Sequence, residues 1–332
     1  MFLYSHTHHI HILSYTSSLL QSVRGDVFIP PDQLQVYEDT NDIGTVDWVI
    51  CALKSTGINA IPDLLFPLLT ENTRVINIMN GLIEEDILEL LNNNATTATA
   101  AATKDGSSSS LSNDNNNNKD EQQQQQLLTC CAAIYGGMAL LCSNRIGPGR
   151  IDHSYAGLLS GGVAAASPKT NPQLNQAAFE ALWDITKVDI VYEESLLRGR
   201  WKKNCWNLPF NGISVAMGGV TIDVIVNNVG LRKLAFRIMD ETIAIANEDL
   251  KQNGYDESYY LGDAEKKQMM DLSDAMGPYK TSTMLDLVER RPMEVRFLFR
   301  KPLERAEKLG IKAPHLETLV LLIESYQEMY NL

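Results

Sequence analysis

Three polar residues follow one another at steps of four in the stretch RWKKNCWNLPFN, residues 200–211: Lys203, Asn207 and Asn211. Four residues of an α-helix turn through about 400°, so the three side chains would form one slowly drifting stripe about 12 Å long. Large apolar residues fill much of the remaining helix surface and predict that this helix is mostly buried. Buried polar groups need partners, so the stripe is expected to face a polar cleft in which its hydrogen bonds are satisfied.

Pro209 lies inside the same stretch. Proline has no N–H with which to bond the carbonyl of Cys205, which predicts a kink and a free acceptor at this point of the helix. Such a feature is kept more easily where something binds. The alternative interpretation is a solvent-exposed stripe with a tolerated kink, and this helix alone leaves both open.

The segments before this helix alternate between strands and helices. Short apolar runs at 46–54, 73–81 and 127–137 predict strands, and IPDLLFPLL and LIEEDILELL between them have helical spacing. This order is typical of an α/β domain with buried parallel strands. Ligands of open sheets bind beyond the carboxyl ends of the strands, which is where Lys54 and Asn80 fall. A lysine at a strand end can equally reach out to water, so for Lys54 both interpretations stay open.

A helix, NPQLNQAAFEALWDITK, and a last strand at 188–194 complete the first domain, and from 195 onward every element has helical spacing. The sequence therefore predicts an α/β domain over 1–194 and an all-helical domain over 195–332. In the second domain, Asn253-Gly254 is a stop signal for the helix that carries Leu231, Ile238 and Ile245. Ser282 or Thr283 is the expected N-cap of a later helix, and Pro292 is expected in the first turn of the next.

Residues 92–126 have almost no large apolar side chain and predict a disordered insertion inside the first domain. Such insertions are tolerated when their ends emerge close together on a surface. The flanking segments are therefore expected to belong to one domain.

Composition narrows the possible partners. The chain has 28 basic and 41 acidic residues and a net charge of −13, which disfavours nucleic acid and anionic lipid. It has no apolar run of the 18 or more residues that a membrane span needs. Five scattered cysteines without zinc spacing predict reduced thiols, and no metal site is expected, including at the histidines of the N-terminal arm, His6, His8, His9 and His11. We expect a cytoplasmic protein, with organellar targeting left open by the acid-free first 24 residues.

The stretch KNCWNLPFN resembles the hallmark of the C-terminal domain of ketopantoate reductases, in which a lysine is followed by asparagines four and eight residues later. In YKTSTMLDLVERRPMEV, Ser282 precedes Glu294 by twelve positions, as in a second motif of that family. VDWVICALK, IMNGL and IGPGRIDH resemble its lysine-ended strand, its asparagine-glycine strand end and its hairpin. The resemblance covers roughly residues 25–91 and 127–330.

This resemblance implies a Rossmann-like NADP-binding domain followed by the helical domain, and reduction of ketopantoate to pantoate in pantothenate synthesis. NADPH would deliver hydride to the keto carbon while Lys203, as the general acid, protonates the keto oxygen. Such a role needs a lysine of lowered pKa. Glu294 would set the charge and geometry of the site. The remaining implied residues are Asn207, Asn211 and Ser282 for the substrate hydroxyl and carboxylate, and Lys54 and Asn80 for the cofactor.

Two of these residues also have structural explanations. Glu294 follows Pro292, so its negative charge would lie near the positive N-terminal end of a helix and interact favourably with the helix dipole. Ser282 would have a purely structural role if it only capped a helix. Both explanations are compatible with function. Met79 stands where the family has glutamine, and Arg296 stands where it has an acid. The arginine alters the charge beside Glu294 and leaves other 2-keto acids as alternative substrates.

The sequence departs from the family in having no G-x-G-x-x-G motif, the turn that holds the cofactor pyrophosphate. SHTHHIHILSYTSSLL stands where the end of that first unit would be, so we expect the first strand, its glycine-rich loop and its helix to be missing. An incomplete gene model or a degenerate relative would both explain this. A non-catalytic descendant that keeps the helical domain as a binding or dimerisation module is therefore an alternative function, and a homodimer is compatible with either.

Overall fold

The computed structural model describes residues 18–30, 35, 37–102, 130–184, 186 and 188–331. The chain divides into a sheet unit, residues 1–53, 57–79 and 84–194, and a helical unit, residues 54–56, 80–83 and 195–332. The N-terminal histidines and the segment expected to replace the first strand lie almost wholly outside the described residues. Within those residues, no helix is both long and apolar enough to cross a bilayer.

The described strands of the sheet unit form one mixed sheet. They are β1 (Ser18–Ser22), β2 (Val27–Ile29), β3 (Trp48–Cys51), β4 (Arg74–Asn77), β5 (Ala133–Gly147), β6 (Arg150–Ala166) and β7 (Asp189–Tyr192). Their order is β2-β1-β6-β5-β4-β3, and β7 pairs with β6. The pairs β3/β4 and β4/β5 are parallel, as the buried apolar runs predict. The pairs β1/β6 and β6/β7 are also parallel. The pairs β1/β2 and β5/β6 are antiparallel.

The α-helices described in the sheet unit are α1 (Ile61–Leu65), α2 (Glu84–Ala102) and α3 (Pro172–Trp183). The core between α3 and the sheet is aromatic. Tyr135 of β5 lies with its ring 5.3 Å from that of Trp48 and 6.0 Å from that of Phe179, and Phe179 is 5.7 Å from Tyr192. The Tyr135 hydroxyl donates to the carbonyl of Asn175 at 3.0 Å, so its polar end is satisfied inside the core.

The prediction of disorder from residue 92 is wrong for its first part. Helix α2 continues through NNNATTATAAA to Ala102. Alanine has the highest intrinsic helix propensity, and adding residues to a helix already started at Glu84 is much easier than nucleating a new one. Low hydrophobicity was therefore the wrong criterion for this stretch. Residues 103–126 of the predicted insertion lie outside the described residues.

The helical unit consists of consecutive helices around one apolar core. They are α4 (Leu196–Ala216), α5 (Ile222–Asn227), α6 (Val229–Gln252), α7 (Asp263–Ala275), α8 (Ser282–Val288), a π-helix (Arg296–Arg300), α9 (Lys301–Leu309) and α10 (Pro314–Tyr330). The fold class, a Rossmann-like α/β domain plus a helical domain, is confirmed. Helix α6 ends at Gln252, and Gly254 follows with φ +82°, as the Asn253-Gly254 signal predicts.

Helix α4, which carries the polar stripe, is buried along most of its length, as predicted. Trp201, Cys205, Leu208 and Phe210 are fully enclosed. The Ser195 side chain caps its N-terminus by accepting from the N–H of Arg198. Pro209 lies inside the helix, which continues to Ala216. The sequence therefore places a long helix in the core of this unit and turns its few polar side chains into confined surroundings.

Two predictions about the later helix starts are wrong. Thr281, and not Ser282 or Thr283, is the N-cap of α8, because its hydroxyl accepts from the N–H of Met284. Pro292 precedes the next helical segment, which begins at Val295 and passes through the π-helix into α9. Several adjacent Ser and Thr residues can all act as caps, so the sequence alone could not select one of them.

Candidate active site

Lys203 and Glu294 are joined by a hydrogen-bonded amide. Lys203 Nζ donates to Asn80 Oδ1 at 2.9 Å, and Asn80 Nδ2 donates to Glu294 Oε2 at 3.1 Å. The other carboxylate oxygen, Oε1, accepts from the backbone N–H of Ser55 at 2.8 Å. All of these residues belong to the helical unit. Lys203, Asn80 and Glu294, which the sequence singled out, are thus brought together. Glu294 binds both short segments of this unit that precede residue 195, residues 54–56 and 80–83.

The amine of Lys203 is unusually acidic for a lysine. Burial and, after it, the positive charge of Arg200 lower its pKa to about 7, while Glu294 opposes both effects. A group whose pKa lies near neutrality is present in both protonation states at physiological pH. Lys203 can therefore give up a proton and regain it, which is the requirement for a general acid.

Lys54, which the sequence placed beyond a strand end, forms an ion pair. Its Nζ lies 2.6 Å from Asp286 Oδ1, and Arg291 Nε donates to the same oxygen at 3.1 Å. The Asp286 side chain is only 3% exposed, whereas that of Lys54 is 46% exposed. Burial raises the pKa of Asp286, and its two cations oppose the rise. Lys54 is therefore held in a fixed position and still has part of its surface open to a ligand.

Asn207 and Asn211 form the continuation of the stripe. Asn211 Nδ2 donates to Asn207 Oδ1 at 3.2 Å, and Asn211 Oδ1 accepts from the N–H of Thr283 at 3.4 Å. Asn207 is 5% exposed, and its Nδ2 has no hydrogen-bond partner among the described residues. An enclosed donor without a partner is costly, so Asn207 is suited to a ligand atom that accepts a hydrogen bond.

Ser282 occupies a different environment from the other predicted substrate residues. It is the first residue of α8 and is exposed, next to the buried Thr281 and Thr283. The structure thus brings Lys203, Asn80 and Glu294 into one network, pairs Asn207 with Asn211, ties Lys54 to Asp286, and leaves Ser282 at the surface of this unit.

The loop that carries Asn80 is fixed by a close backbone approach. Leu82 N–H donates to the carbonyl of Phe297, in the π-helix, at 3.2 Å. Gly81 has φ +87°, and a Cβ there would lie 2.3 Å from the same carbonyl oxygen. Only glycine meets both conditions, because other residues avoid positive φ and would overlap Phe297. π-Helical turns often occur at functional sites, and this one begins two residues after Glu294.

Sequence reasoning missed Asp286, Ser55 and Arg200. Asp286 lies four residues after Ser282 on a short helix, a spacing that could have drawn attention to it. Ser55 contributes through its backbone N–H, which side-chain motifs do not reveal, and its buried Oγ has no partner among the described residues. Arg200 precedes Lys203 by three residues, but its 2% exposure could not be inferred from the sequence.

Comparison with known proteins identifies the relationship. The protein-family model described as ketopantoate reductase PanE/ApbA matches residues 3–113. A second family model, described as ketopantoate reductase PanE/ApbA C terminal, matches residues 195–327. A 2-dehydropantoate 2-reductase of Nostoc sp. is 30% identical over 304 residues, which span 91% of this chain and 80% of that protein. The chain belongs to the ketopantoate reductase family.

Solved structures show the same fold. The crystal structure of 2-dehydropantoate 2-reductase from Geobacter metallireducens is 29% identical, with a TM-score of 0.71 over 93% of this chain and 86% of that one. A D-mandelate dehydrogenase, solved with NADH and anilino(oxo)acetate, is 15% identical with a TM-score of 0.65, covering 95% of this chain and 86% of that one. Since the fold occurs in proteins named for different substrates, the substrate must be argued from the site residues.

A first prediction concerns the loop of Asn80. We expect Gly81→Ala to lower the melting temperature markedly and to remove the Lys203–Asn80–Glu294 network, because the added Cβ would overlap the carbonyl of Phe297. The matched control is Gly254→Ala, where φ is also positive at +82° but a Cβ would meet nothing within 4 Å. The comparison by thermal unfolding isolates the close approach. Equal losses in the two variants would contradict it.

A second prediction concerns pH. Between about pH 7 and pH 10.5 the unfolded chain holds a proton on Lys203 that the folded chain has lost, so this residue makes stability rise with pH over that window. Lys203→Gln removes the effect while keeping a donor for Asn80. We therefore expect the variant to gain melting temperature relative to the wild type at pH 6 and to lose that advantage by pH 10. A difference in melting temperature that does not vary with pH would contradict the lowered pKa.

Proposed function

We propose that this protein is a reductase that uses a nicotinamide cofactor, NADPH in the first instance, to reduce ketopantoate to pantoate with Lys203 as the general acid. The observation that carries the proposal is the part-buried amine of Lys203, with a pKa of about 7, bonded to Asn80 and through it to Glu294. Family membership supports the reaction class. In this proposal residues 1–194 form the cofactor domain and 195–332 the substrate domain.

The roles of the chain's own groups follow from the hydrogen bonds. Lys203 donates a proton to the keto oxygen, and Asn80 holds the amine through its Oδ1. Glu294 fixes Asn80 and compensates the positive charge of the protonated amine. The unpaired Nδ2 of Asn207 is available to the substrate hydroxyl. Asn211 fixes the orientation of the Asn207 amide, and the exposed Ser282 contributes a hydroxyl at the start of α8.

The cofactor supplies the hydride when it is bound. The residues proposed to hold its nicotinamide end are Lys54 and Asn80, with the buried Ser55 hydroxyl as an additional donor. These groups fit it chemically, because an ammonium, an amide and a hydroxyl suit the ribose hydroxyls and the carboxamide. Asp286 holds Lys54 and leaves almost half of its side chain exposed for such a contact.

A third prediction tests the catalytic assignment. Lys203→Ala removes the proton donor and Glu294→Ala releases Asn80 and Ser55, so each is expected to lower kcat/KM for ketopantoate by about 10²–10⁴-fold. The rate is followed by NADPH oxidation in the purified protein. Lys202→Ala changes the neighbouring lysine, which points away from the stripe, and is expected to keep at least half of the activity. Normal turnover in Lys203→Ala and Glu294→Ala would contradict the proposal.

A fourth prediction tests the substrate. Trimethylpyruvate differs from ketopantoate only in lacking the hydroxyl group. If Asn207 Nδ2 donates to that hydroxyl, Asn207→Ala should lower kcat/KM for ketopantoate by about 10–100-fold and leave the value for trimethylpyruvate nearly unchanged.

The matched control for Asn207 is Asn204→Ala on the same helix. Asn204 is 1% exposed and its Nδ2 is likewise without a partner among the described residues. We expect its loss to affect both substrates by the same factor. Equal effects of Asn207→Ala on the two substrates would show that Asn207 does not recognise the hydroxyl, and a higher kcat/KM of the wild type for another 2-keto acid would favour that substrate.

A further inference from the structure

Arg200 is a buried cation close to another cation. Arg200 is only 2% exposed to solvent, although arginine is among the residues least often buried in proteins. It precedes Lys203 by three positions on α4, so the two side chains emerge on one face of the helix with about 5–6 Å between their Cβ atoms. Like charges on one face of a helix repel each other, and the repulsion is stronger where solvent is excluded.

Several acidic groups surround α4, and each forms an ion pair or hydrogen bond with a group other than Lys203. Glu294 faces Lys203 from the segment before the π-helix, through the neutral Asn80. On the helices packed on α4, these groups and their partners include Asp223 of α5 with Thr221, Asp249 of α6 with Trp201 and Arg305, Asp240 of α6 with Lys266 of α7, Glu265 of α7 with Arg198, Asp286 of α8 with Lys54 and Arg291, and Glu324 of α10 with Arg300. The charges that act on Lys203 most strongly are Arg200, which lowers its pKa, and Glu294, which raises it.

We propose that Arg200 is a positioning residue that acts through Lys203: its buried positive charge favours the neutral amine and so makes Lys203 a stronger proton donor. This inference rests on the proposed function. The direction agrees with the lowered pKa of Lys203, to which Arg200 contributes after burial and against Glu294. Without Arg200, burial alone would have to oppose the carboxylate.

The need for such a residue follows from the substrate. A 2-keto acid carries a carboxylate, which on binding adds a negative charge near Lys203 and, like Glu294, stabilises the protonated amine. A lysine stabilised in this way holds its proton more tightly and donates it less readily. A fixed cation on the adjacent helical turn counteracts the increase. Arg200 is suited to this because a guanidinium stays charged at every physiological pH.

The test uses the full chain and three variants at one position. Arg200→Gln and Arg200→Met remove the charge, and Met keeps much of the apolar stem, whereas Arg200→Lys keeps the charge. The pH at which Lys203 becomes half-reactive is measured by competitive acetylation with acetic anhydride and peptide mass spectrometry. This measurement requires neither cofactor nor substrate, so it reports on Lys203 even if the protein reduces no 2-keto acid. The alkaline limb of kcat/KM is measured in parallel.

We expect both neutral variants to raise the half-reactive pH of Lys203 by about 1 pH unit, as like charges on adjacent helical turns should. Arg200→Lys should stay close to the wild type. The alkaline limb of kcat/KM should move by the same amount, with slower turnover at pH 7.

An unchanged half-reactive pH in a folded neutral variant, or the same increase in Arg200→Lys, would overturn the inference. Failure of both neutral variants to fold would also overturn it, because the side chain would then be required for the fold. An increase in the half-reactive pH without any reductase activity would uphold the inference about Lys203 and contradict the proposed function.

Discussion

The carboxylate of Glu294 is the group on which the rest of the site depends. It is 7% exposed, and each of its oxygens accepts a hydrogen bond from a different loop, one from the N–H of Ser55 and one from the Asn80 amide. A buried carboxylate is tolerated only when it is bonded in this way. These bonds also fix Asn80, which in turn holds the amine of Lys203. One negative charge thus organises three segments that are far apart in the sequence.

Opposing electrostatic effects set the character of Lys203. Burial and Arg200 favour the neutral amine, whereas Glu294 favours the charged one. The pKa of about 7 results from this balance and would be lost if any of the three were removed. Two contacts hold the surroundings of Lys203 in a fixed geometry. Gly81 allows the loop that carries Asn80 to approach the carbonyl of Phe297, and Asp286 holds Lys54 in an ion pair. Enclosure, charge and fixed geometry are together what distinguish this lysine from a surface lysine.

Much of the fold could be predicted from the sequence, because the hydrophobic period changes near residue 195 and the apolar runs before it mark β3, β4, the start of β5, and β7. Lys203, Asn207 and Asn211 were singled out by their spacing on one helix together with the family resemblance of KNCWNLPFN. Asp286 was missed because its role comes from enclosure and from Lys54, 232 residues away, which no local pattern encodes. The helical stretch 92–102 was missed because alanine favours helix without contributing much hydrophobicity. Thr281 was missed because the neighbouring Ser282 and Thr283 are equally able to cap a helix.

The most direct measurement of the central claim follows the hydride itself. The purified protein would be incubated with ketopantoate and NADPH carrying deuterium at the transferable C4 position, and the product examined by mass spectrometry. The account predicts pantoate with one deuterium at C2, formed by the wild type and nearly absent with Lys203→Ala. No deuterated pantoate from the wild type, with the cofactor left unoxidised, would contradict the account.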